Sequence, residues 1–285
     1  MRPFSQVDVF SAEPFLGNPV AVVHDADGIS DAEMAEFASW TNLSETTFLL
    51  PPSTDEADYR IRIFTPSTEL PFAGHPTIGS AHAWLEAGGV PRTDGELVQE
   101  CGAGLVRLRM ASHGQRRLAF AGPPFLRSGE VSEEDRERIV RALRIDPSQV
   151  RDLEWIDNGP GWVGVLMDSA EEVLAIQPDW SAAAGMDIGV VGPYPEGSEC
   201  AVEVRAICPG AGIAEDPVTG SLNAGIAQWL AGDRLPASYV ASQGTALGRR
   251  GRVFVERSTD DGGDTVWVGG DACTRITGTV GIGQH

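Results

Sequence analysis

The sequence contains no lysine, because all 21 basic residues among its 285 residues are arginines. Without a lysine amine the chain cannot form a Schiff base with a carbonyl substrate or anchor pyridoxal phosphate. A Walker A loop, which ends in Gly-Lys, is excluded for the same reason. The HExxH, GxSxG and EF-hand motifs are also missing. These absences argue against the classes of chemistry that depend on those motifs.

Positive charge, cysteine and long apolar runs are also scarce. The formal net charge is −20, and such a surface repels phosphate backbones, so we expect no nucleic-acid partner. No apolar run approaches the roughly 18 residues of a membrane span. The four cysteines are far apart and form no CxxC pair, which fits neither a zinc site nor a disulfide framework. Because the first residues lack a secretory signal pattern, the sequence predicts a cytoplasmic protein.

The order of predicted elements repeats once along the chain. A strand in LGNPVAVV and the helix after it match NGPGWVGVLMD and the helix in SAEEVLAIQ. A strand in RIRIFTP before GSAHAWL matches VEVRAICPG before GSLNAGIAQWL. Gly17 and Gly159 are 142 positions apart, and Trp84 and Trp229 are 145 apart. A near-constant offset of about half the chain predicts an internal duplication.

The two matching helices, GSAHAWL and GSLNAGIAQWL, consist mostly of small residues and carry almost no charge. A helix of this kind is usually buried on all sides. With strands on either side of each helix, the predicted class is α+β, with two similar halves that each curl a mostly antiparallel, barrel-like sheet around a central helix. The predicted domains are 1–125 and 126–285. The last strand, about 272–281, has two places in this scheme: the second half, or the edge of the first sheet.

A glycine- and proline-containing loop precedes each central helix, AGHPTIG at 73–79 and EDPVTGS at 215–221. Free N–H groups at a helix start bind anions, so a substrate carboxylate is the simplest ligand. Plain tight caps are the alternative. His75 lies in the first loop, Asp216 in the second, and Glu45 in NLSETTF. A carboxylate in an apolar cleft and a nearby histidine can move protons near neutral pH, although the residues alone leave structural roles equally open.

Five segments together carry a family resemblance: DVFSAEPFLGNPVAVV, NLSETTFLL, RIFTPSTELPFAGHPTIGSAHAWL, EDPVTGSLNAGIAQWL and SQGTALGRRGRVFVE. In this order they resemble the phenazine-biosynthesis PhzF-like family, which shares the diaminopimelate-epimerase fold. The resemblance implies two sheet-around-helix halves with the active site in the cleft between them, cofactor-independent proton transfer, and a homodimer. The best-known member isomerises trans-2,3-dihydro-3-hydroxyanthranilate.

The resemblance also implies roles for individual residues. Glu45 would take a proton from one carbon of a small carboxylated metabolite and return it to another. The other catalytic positions would be His75, Asp216 and Ser221, and the substrate-binding positions Gly74, Gly220 and Asn223. In the family the serine is often followed by Ala-His, whereas this chain has Leu222 and Asn223, which leaves the substrate open.

Neither loop contains a cysteine, although the two-thiol epimerases that share this fold have one in each. A two-thiol epimerase is therefore not expected. Three functions remain open: an isomerase that shifts a proton and a double bond, an amino-acid epimerase without the cysteine pair, and a protein that binds a small acid without turnover.

Overall fold

The computed structural model describes residues 1–110, 117–209, 214–260 and 263–283. The chain divides into two compact units. The first comprises Met1–Ala121 and Gly269–His285, and the second Gly122–Val268. The last strand (Gly263–Val280) is thus divided between the two units: residues 263–268 belong to the second unit and residues 269–280 to the first. Among the described residues, no helix has the length and hydropathy needed to cross a bilayer.

The first unit contains two helices and eight strands before the last strand is added. The helices are α1 (Asp31–Thr41) and α2 (Gly74–Glu86). The strands are β1 (Arg2–Val9), β2 (Asn18–Val23), β3 (Glu45–Leu50), β4 (Tyr59–Phe64), β5 (Glu69–Leu70), β6 (Glu96–Cys101), β7 (Gly104–Met110) and β8 (Arg117–Ala121).

The remaining elements follow in chain order. The helices are α3 (Glu133–Leu143), α4 (Ala170–Ala175) and α5 (Gly220–Leu230). The strands are β9 (Arg127–Glu130), β10 (Asp152–Asp157), β11 (Trp162–Leu166), β12 (Asp187–Pro193), β13 (Val202–Ile207), β14 (Glu215–Asp216), β15 (Ser238–Gln243), β16 (Gly251–Asp260) and β17 (Gly263–Val280).

Eight strands of the first unit close into a barrel. The ring runs β17, β1, β2, β3, β4, β6, β7, β8 and back to β17. The pairs β2–β3 and β4–β6 are parallel. Helix α2 contacts β1, β2, β3, β6 and β8, and ten of its thirteen residues are buried. The buried residues 74–83 of α2 include no acid and no arginine, which follows from this enclosure, because a charged side chain there would have to be desolvated.

The second unit has the same plan. Its strands pair in the order β9, β10, β11, β12, β13, β15, β16, and β11–β12 and β13–β15 are parallel. Helix α5 contacts β10, β11 and β16, and nine of its eleven residues are buried. The α+β class with two similar sheet-around-helix halves is therefore confirmed.

The end of the chain differs from expectation. The sequence predicts separate strands in TVWVGG and ACTRITGTV, whereas the structure has the single strand β17. A Cβ on Gly269 would lie 2.6 Å from the Leu118 carbonyl oxygen, and one on Gly270 would lie 2.4 Å from Phe10 Cδ1. Other segments of the same chain thus pass close to β17 at these two positions, and a side chain would not fit there. The two glycines serve this close packing and do not end the strand.

The packing of α2 against β1 and β2 generates a first prediction. A Cβ on Gly79 would lie 2.3 Å from Val20 Cγ1 and 3.1 Å from Val9 Cγ2. We expect Gly79→Ala to lower the free energy of unfolding by about 1–3 kcal/mol through overpacking, although alanine is the better helix former by about 1 kcal/mol. Urea denaturation measures the change. Gly278→Ala is the control, because nothing lies within 4 Å of its Cβ; a Gly79 variant as stable as wild type would contradict the prediction.

Candidate active site

The two central helices begin differently from the outer helices. Helices α1, α3 and α4 are each capped by a serine, Ser30, Ser132 and Ser169, whose side chain accepts a hydrogen bond from the first turn. Neither Ala73 before α2 nor Thr219 before α5 supplies such a bond. The first-turn N–H groups of a helix have no partner within the helix and attract negative charge. The starts of α2 and α5 are thus suited to bind an anionic group, as the sequence predicts.

Glu45 and His75 are brought together in the first unit. Glu45 is the first residue of β3 and pairs with Val20 of β2 in parallel register. His75 is the second residue of α2. Glu45 Oε2 lies 3.3 Å from His75 Nε2, with 14% of the glutamate side chain and 4% of the histidine side chain exposed. The strand end and the helix start therefore present one carboxylate and one imidazole in contact, next to Gly74.

His75 is held from behind by the start of β2. His75 Nδ1 lies 3.3 Å from Asn18 Nδ2. The imidazole ring also donates a hydrogen bond to the backbone carbonyl of Pro19, since proline has no N–H to donate. Burial is the dominant influence and lowers the pKa of His75 from 6.5 to about 3, while the Pro19 contact opposes this shift. The ring is therefore neutral at ordinary pH, with one nitrogen protonated and one bare. Such a ring adds no positive charge beside Glu45, and it can relay a proton only if its bare nitrogen takes one up as the other nitrogen gives one away.

Asp216 lies at the second helix start within a network centred on Gln243. Thr219 Oγ1 donates to Asp216 Oδ2 at 2.5 Å. Gln243 Nε2 donates to Thr219 Oγ1 at 2.9 Å and to the Asp216 carbonyl at 3.2 Å. Gln243 Oε1 accepts from the Thr219 N–H at 3.0 Å and from Asn223 Nδ2 at 2.8 Å. All four hydrogen-bonding positions of the Gln243 amide are thus used to fix the segment that carries Asp216.

The residue before Asp216 is anchored by a buried ion pair. Arg205 donates to both carboxylate oxygens of Glu215, at 2.9 and 2.8 Å. Its remaining nitrogen, Nη1, donates to the carbonyls of Ile176 and Val173. A bidentate pair with its other donors satisfied holds a fixed geometry. Glu215 therefore has a structural partner, and the acid function of Asp216 in this loop stays a prediction.

Ser221 is oriented by the loop between β10 and β11. Trp162 Nε1 donates to Ser221 Oγ at 3.0 Å, and Asn158 Nδ2 donates to the Ser221 carbonyl at 2.9 Å. Because the indole N–H can only donate, the serine oxygen accepts from it and its own proton is directed elsewhere. Ser221 is 5% exposed. The arrangement leaves the hydroxyl group able to donate a hydrogen bond to a ligand.

The three residues predicted to bind substrate occupy different environments. Gly74 and Gly220 are the first residues of α2 and α5, and both are buried. Asn223 is fully buried, and its Nδ2 donates to the Thr219 carbonyl at 2.9 Å as well as to Gln243. Its amide nitrogen is thus committed to the protein. A contact between Asn223 and substrate stays a prediction, restricted to its carbonyl oxygen.

Sequence reasoning assigned no role to Gln243, Trp162 or Asn158. Gln243 lies in SQGTALGRRG, a segment that was noted for the resemblance. Trp162 and Asn158 lie in NGPGW, which matched LGNPV in the repeat. Among the described residues, no group of three or more histidine, cysteine or acidic side chains is arranged to hold a metal ion.

The burial of His75 has a consequence for stability. The unfolded chain protonates this residue near its ordinary pKa of 6.5, while the folded chain resists protonation down to about pH 3. The stability that comes from a neutral His75 is therefore complete above pH 6.5 and is lost as the pH falls towards 3. We expect wild type to lose up to about 1.4 kcal/mol per pH unit more than His75→Asn between pH 6 and 4.

NMR of the imidazole nitrogens checks the same property directly. The His75 signals, assigned by their loss in the Asn variant, should remain those of a neutral ring between pH 7 and 4. A titration midpoint near 6.5 would contradict the burial of an uncharged ring.

The Gln243 network generates a further prediction. Gln243→Met keeps a similar volume but leaves buried donors and acceptors without partners, which should lower the free energy of unfolding by about 2–4 kcal/mol. Gln228→Met is the matched control, because that side chain makes one bond, to the Pro123 carbonyl, and should cost about 1 kcal/mol. Equal losses in the two variants, measured by urea denaturation, would contradict the central role of Gln243.

Comparison with known proteins defines the family. The model of a family described as phenazine biosynthesis-like protein matches residues 7–278. Antisense-enhancing sequence 1 of Schizosaccharomyces pombe is 38% identical over 96% of this chain and 97% of its own. Trans-2,3-dihydro-3-hydroxyanthranilate isomerase of Pseudomonas aeruginosa is 34% identical over 89% of this chain and 90% of its own.

Among solved structures, a Bacillus anthracis phenazine biosynthesis protein of the PhzF family shares the fold. The TM-score is 0.81 at 22% identity, with 99% of both chains covered. The fold, the family match over nearly the whole chain and the named relative agree. The chain therefore belongs to the phenazine biosynthesis-like protein family, and it is an isomerase.

Proposed function

We propose that this isomerase shifts a proton, and with it a double bond, within a small carboxylated metabolite, with Glu45 as the acid/base and no cofactor. The observation that carries the proposal is the 3.3 Å contact between the Glu45 carboxylate and a buried, neutral His75 at an uncapped helix start. The Pseudomonas aeruginosa relative is named for trans-2,3-dihydro-3-hydroxyanthranilate. That compound is the first substrate to test.

The chemistry needs no group beyond those side chains. The Glu45 carboxylate removes a proton from one carbon, and the electron pair of that C–H bond forms a new double bond. The pair of the old double bond takes a proton back from the Glu45 carboxyl group at its far carbon. A charged imidazolium beside Glu45 would stabilise the carboxylate and weaken it as a base. The neutral His75 avoids this, and the N–H groups at Gly74 offer hydrogen bonds to an anionic substrate group.

We assign Asp216, Ser221 and Gly220 to the same reaction, as the family resemblance implies. Support comes from their fixed positions: Thr219 and Gln243 hold Asp216, and Trp162 orients the Ser221 hydroxyl. Groups that are held in place before substrate arrives contribute most to the stabilisation of developing charge. Asn223 is proposed to contact substrate through its carbonyl oxygen alone.

An epimerase and a non-catalytic binding protein remain the competing functions. Incubation of a set of cyclic and aliphatic carboxylates in D2O separates the three. A new positional isomer supports the proposal. Inversion at one stereocentre with an unchanged double bond would favour an epimerase, and binding without exchange at carbon would favour a binding protein.

Glu45→Gln tests the central assignment. The amide cannot accept the proton, so we expect kcat for isomerisation to fall by at least about 100-fold, while the affinity for the substrate changes little because size and polarity are kept. Steady-state kinetics and calorimetry measure the two quantities.

Glu36→Gln is the matched control, since Glu36 is an exposed glutamate on α1. Its kinetics should equal those of wild type. Normal turnover by the Glu45 variant would remove Glu45 from the mechanism.

The oligomeric state and location also stay predictions. The family resemblance favours a homodimer, and the sequence favours the cytoplasm. Light scattering on the purified protein checks the first, and fractionation of the source cells the second.

A further inference from the structure

The internal repeat gives Glu45 a counterpart in the second unit, Asp187. Each is the first residue of a strand that pairs in parallel with the strand before it in the chain, β3 with β2 and β12 with β11. The registers agree, since Val20 pairs with Glu45 and Trp162 pairs with Asp187. Both members of the second pair lie 142 positions after those of the first.

The loops beside these strands repeat in the same way. Asp8 Oδ1 accepts a hydrogen bond from Gly17 N–H at 3.0 Å, and Asp157 Oδ1 accepts one from Gly159 N–H at 2.7 Å. Gly17 and Gly159 are again 142 positions apart. The aspartate lies nine residues before the glycine in the first unit and two residues before it in the second, so this loop is shorter in the second unit, but the hydrogen bond is the same.

The side chain of Asp187 lies on the face of the sheet that covers the start of α5. Paired residues of neighbouring strands project from the same face, and Trp162, the partner of Asp187, reaches Ser221 Oγ. Two positions on, a Cβ on Gly189 would lie 2.1 Å from Leu222 Cδ1. In the first unit the same face brings Glu45 to His75 and Thr47 to Ser80 of α2.

A neighbouring acid acts on the carboxyl group of Asp187. Asp157, at the end of β10, adds to the effect of burial, and together they raise the pKa of Asp187 from 3.8 to about 6. Helix α5 carries no charged residue between Gly220 and Leu230. Asp216, held by Thr219, is the other acid at this helix start. A carboxyl group in this setting gains a proton readily when a further negative charge arrives.

We propose that Asp187 is a substrate-facing carboxyl group, the second unit's counterpart of Glu45, which takes up a proton when an anionic substrate binds and donates that hydrogen to it. The proposal rests on the proposed function, since it assumes a carboxylate substrate, and it adds a second acid to the site. The proton comes from solvent and bonds to the Asp187 carboxylate; no bond of the substrate breaks in this step. A neutral carboxylic acid that donates to an anion stabilises it more strongly than a neutral amide would.

The test uses the full-length chain with Glu45→Gln, so that trans-2,3-dihydro-3-hydroxyanthranilate and a series of cyclic carboxylates bind without turnover. Calorimetry in buffers of different ionisation enthalpy counts the protons taken up. At pH 7 we expect close to one proton per ligand, and about 25- to 50-fold weaker binding at pH 8 than at pH 6.

Asp187→Asn isolates the residue. Its amide still donates, so binding should persist within a few-fold of the parent, but proton uptake and the pH dependence should disappear. Asp187→Ala should bind about tenfold more weakly at pH 6. Asp233→Asn, at an exposed turn, is the control and should bind and titrate like the parent.

NMR of carbon-labelled aspartate follows Asp187 without ligand. A titration near pH 6 is expected, and Asp157→Asn, which keeps the acceptor for Gly159, should move it to lower pH. A midpoint near 4, unchanged proton uptake in Asp187→Asn, or no binding by any carboxylate would overturn the inference. If Glu45→Gln turned over normally but still showed proton uptake that depends on Asp187, the proposed role of Glu45 would be wrong and the role of Asp187 would stand. The two failures are therefore distinguishable.

Discussion

The enclosure of a helix by a sheet is the constraint on which the rest of this structure depends. The enclosed part of a helix surrounded by strands carries little charge, and its neighbours must come close, which accounts for the small residues of α2 and α5 and for contacts such as Gly79 with Val20. The same enclosure leaves one end of each helix as the place where polar groups gather. There the first turn presents N–H groups that no serine caps, unlike the outer helices.

The two units apply one architecture to different chemistry. The first surrounds its helix start with a neutral imidazole held by Asn18 and Pro19. The second uses hydroxyl groups, Thr219 and Ser221, held by Gln243 and Trp162. An imidazole relays protons, whereas a hydroxyl group fixed by a donor mainly directs a hydrogen bond. The two units thus place the predicted site residues at corresponding helix starts, while the chemical types of those residues differ.

The sequence was a good guide to the class of fold and to part of the site. Low charge and small side chains identified both central helices, and the repeat indicated two similar halves. The proximity of Glu45 to His75 was implied by the family resemblance, because no local pattern predicts that the first residue of β3 meets a residue of α2 thirty positions later. Gln243 could not have been found locally either, since its partners lie on β14 and α5.

Other features were missed for reasons that can be stated. The local sequence pattern does not predict strand β12, because the glycines of DIGVVGP weaken the strand signal. Its position follows only from β3 and the constant offset of the repeat. The sequence predicts the end of a strand at Gly269 and Gly270 because glycine is common in turns. In the structure these glycines instead allow two segments of the chain to pack closely.

Strand β17 also sets the order in which the first unit can be completed. Without β17 the barrel is open between β1 and β8. Residues 272–280 of β17 pair with β1, and β17 also pairs with β8, which closes the ring. During synthesis those residues emerge long after β8. Until then, two strand edges with unpaired backbone groups are exposed, and such edges recruit other chains. The nascent first unit therefore depends on shielding from its surroundings for as long as the second unit is being made.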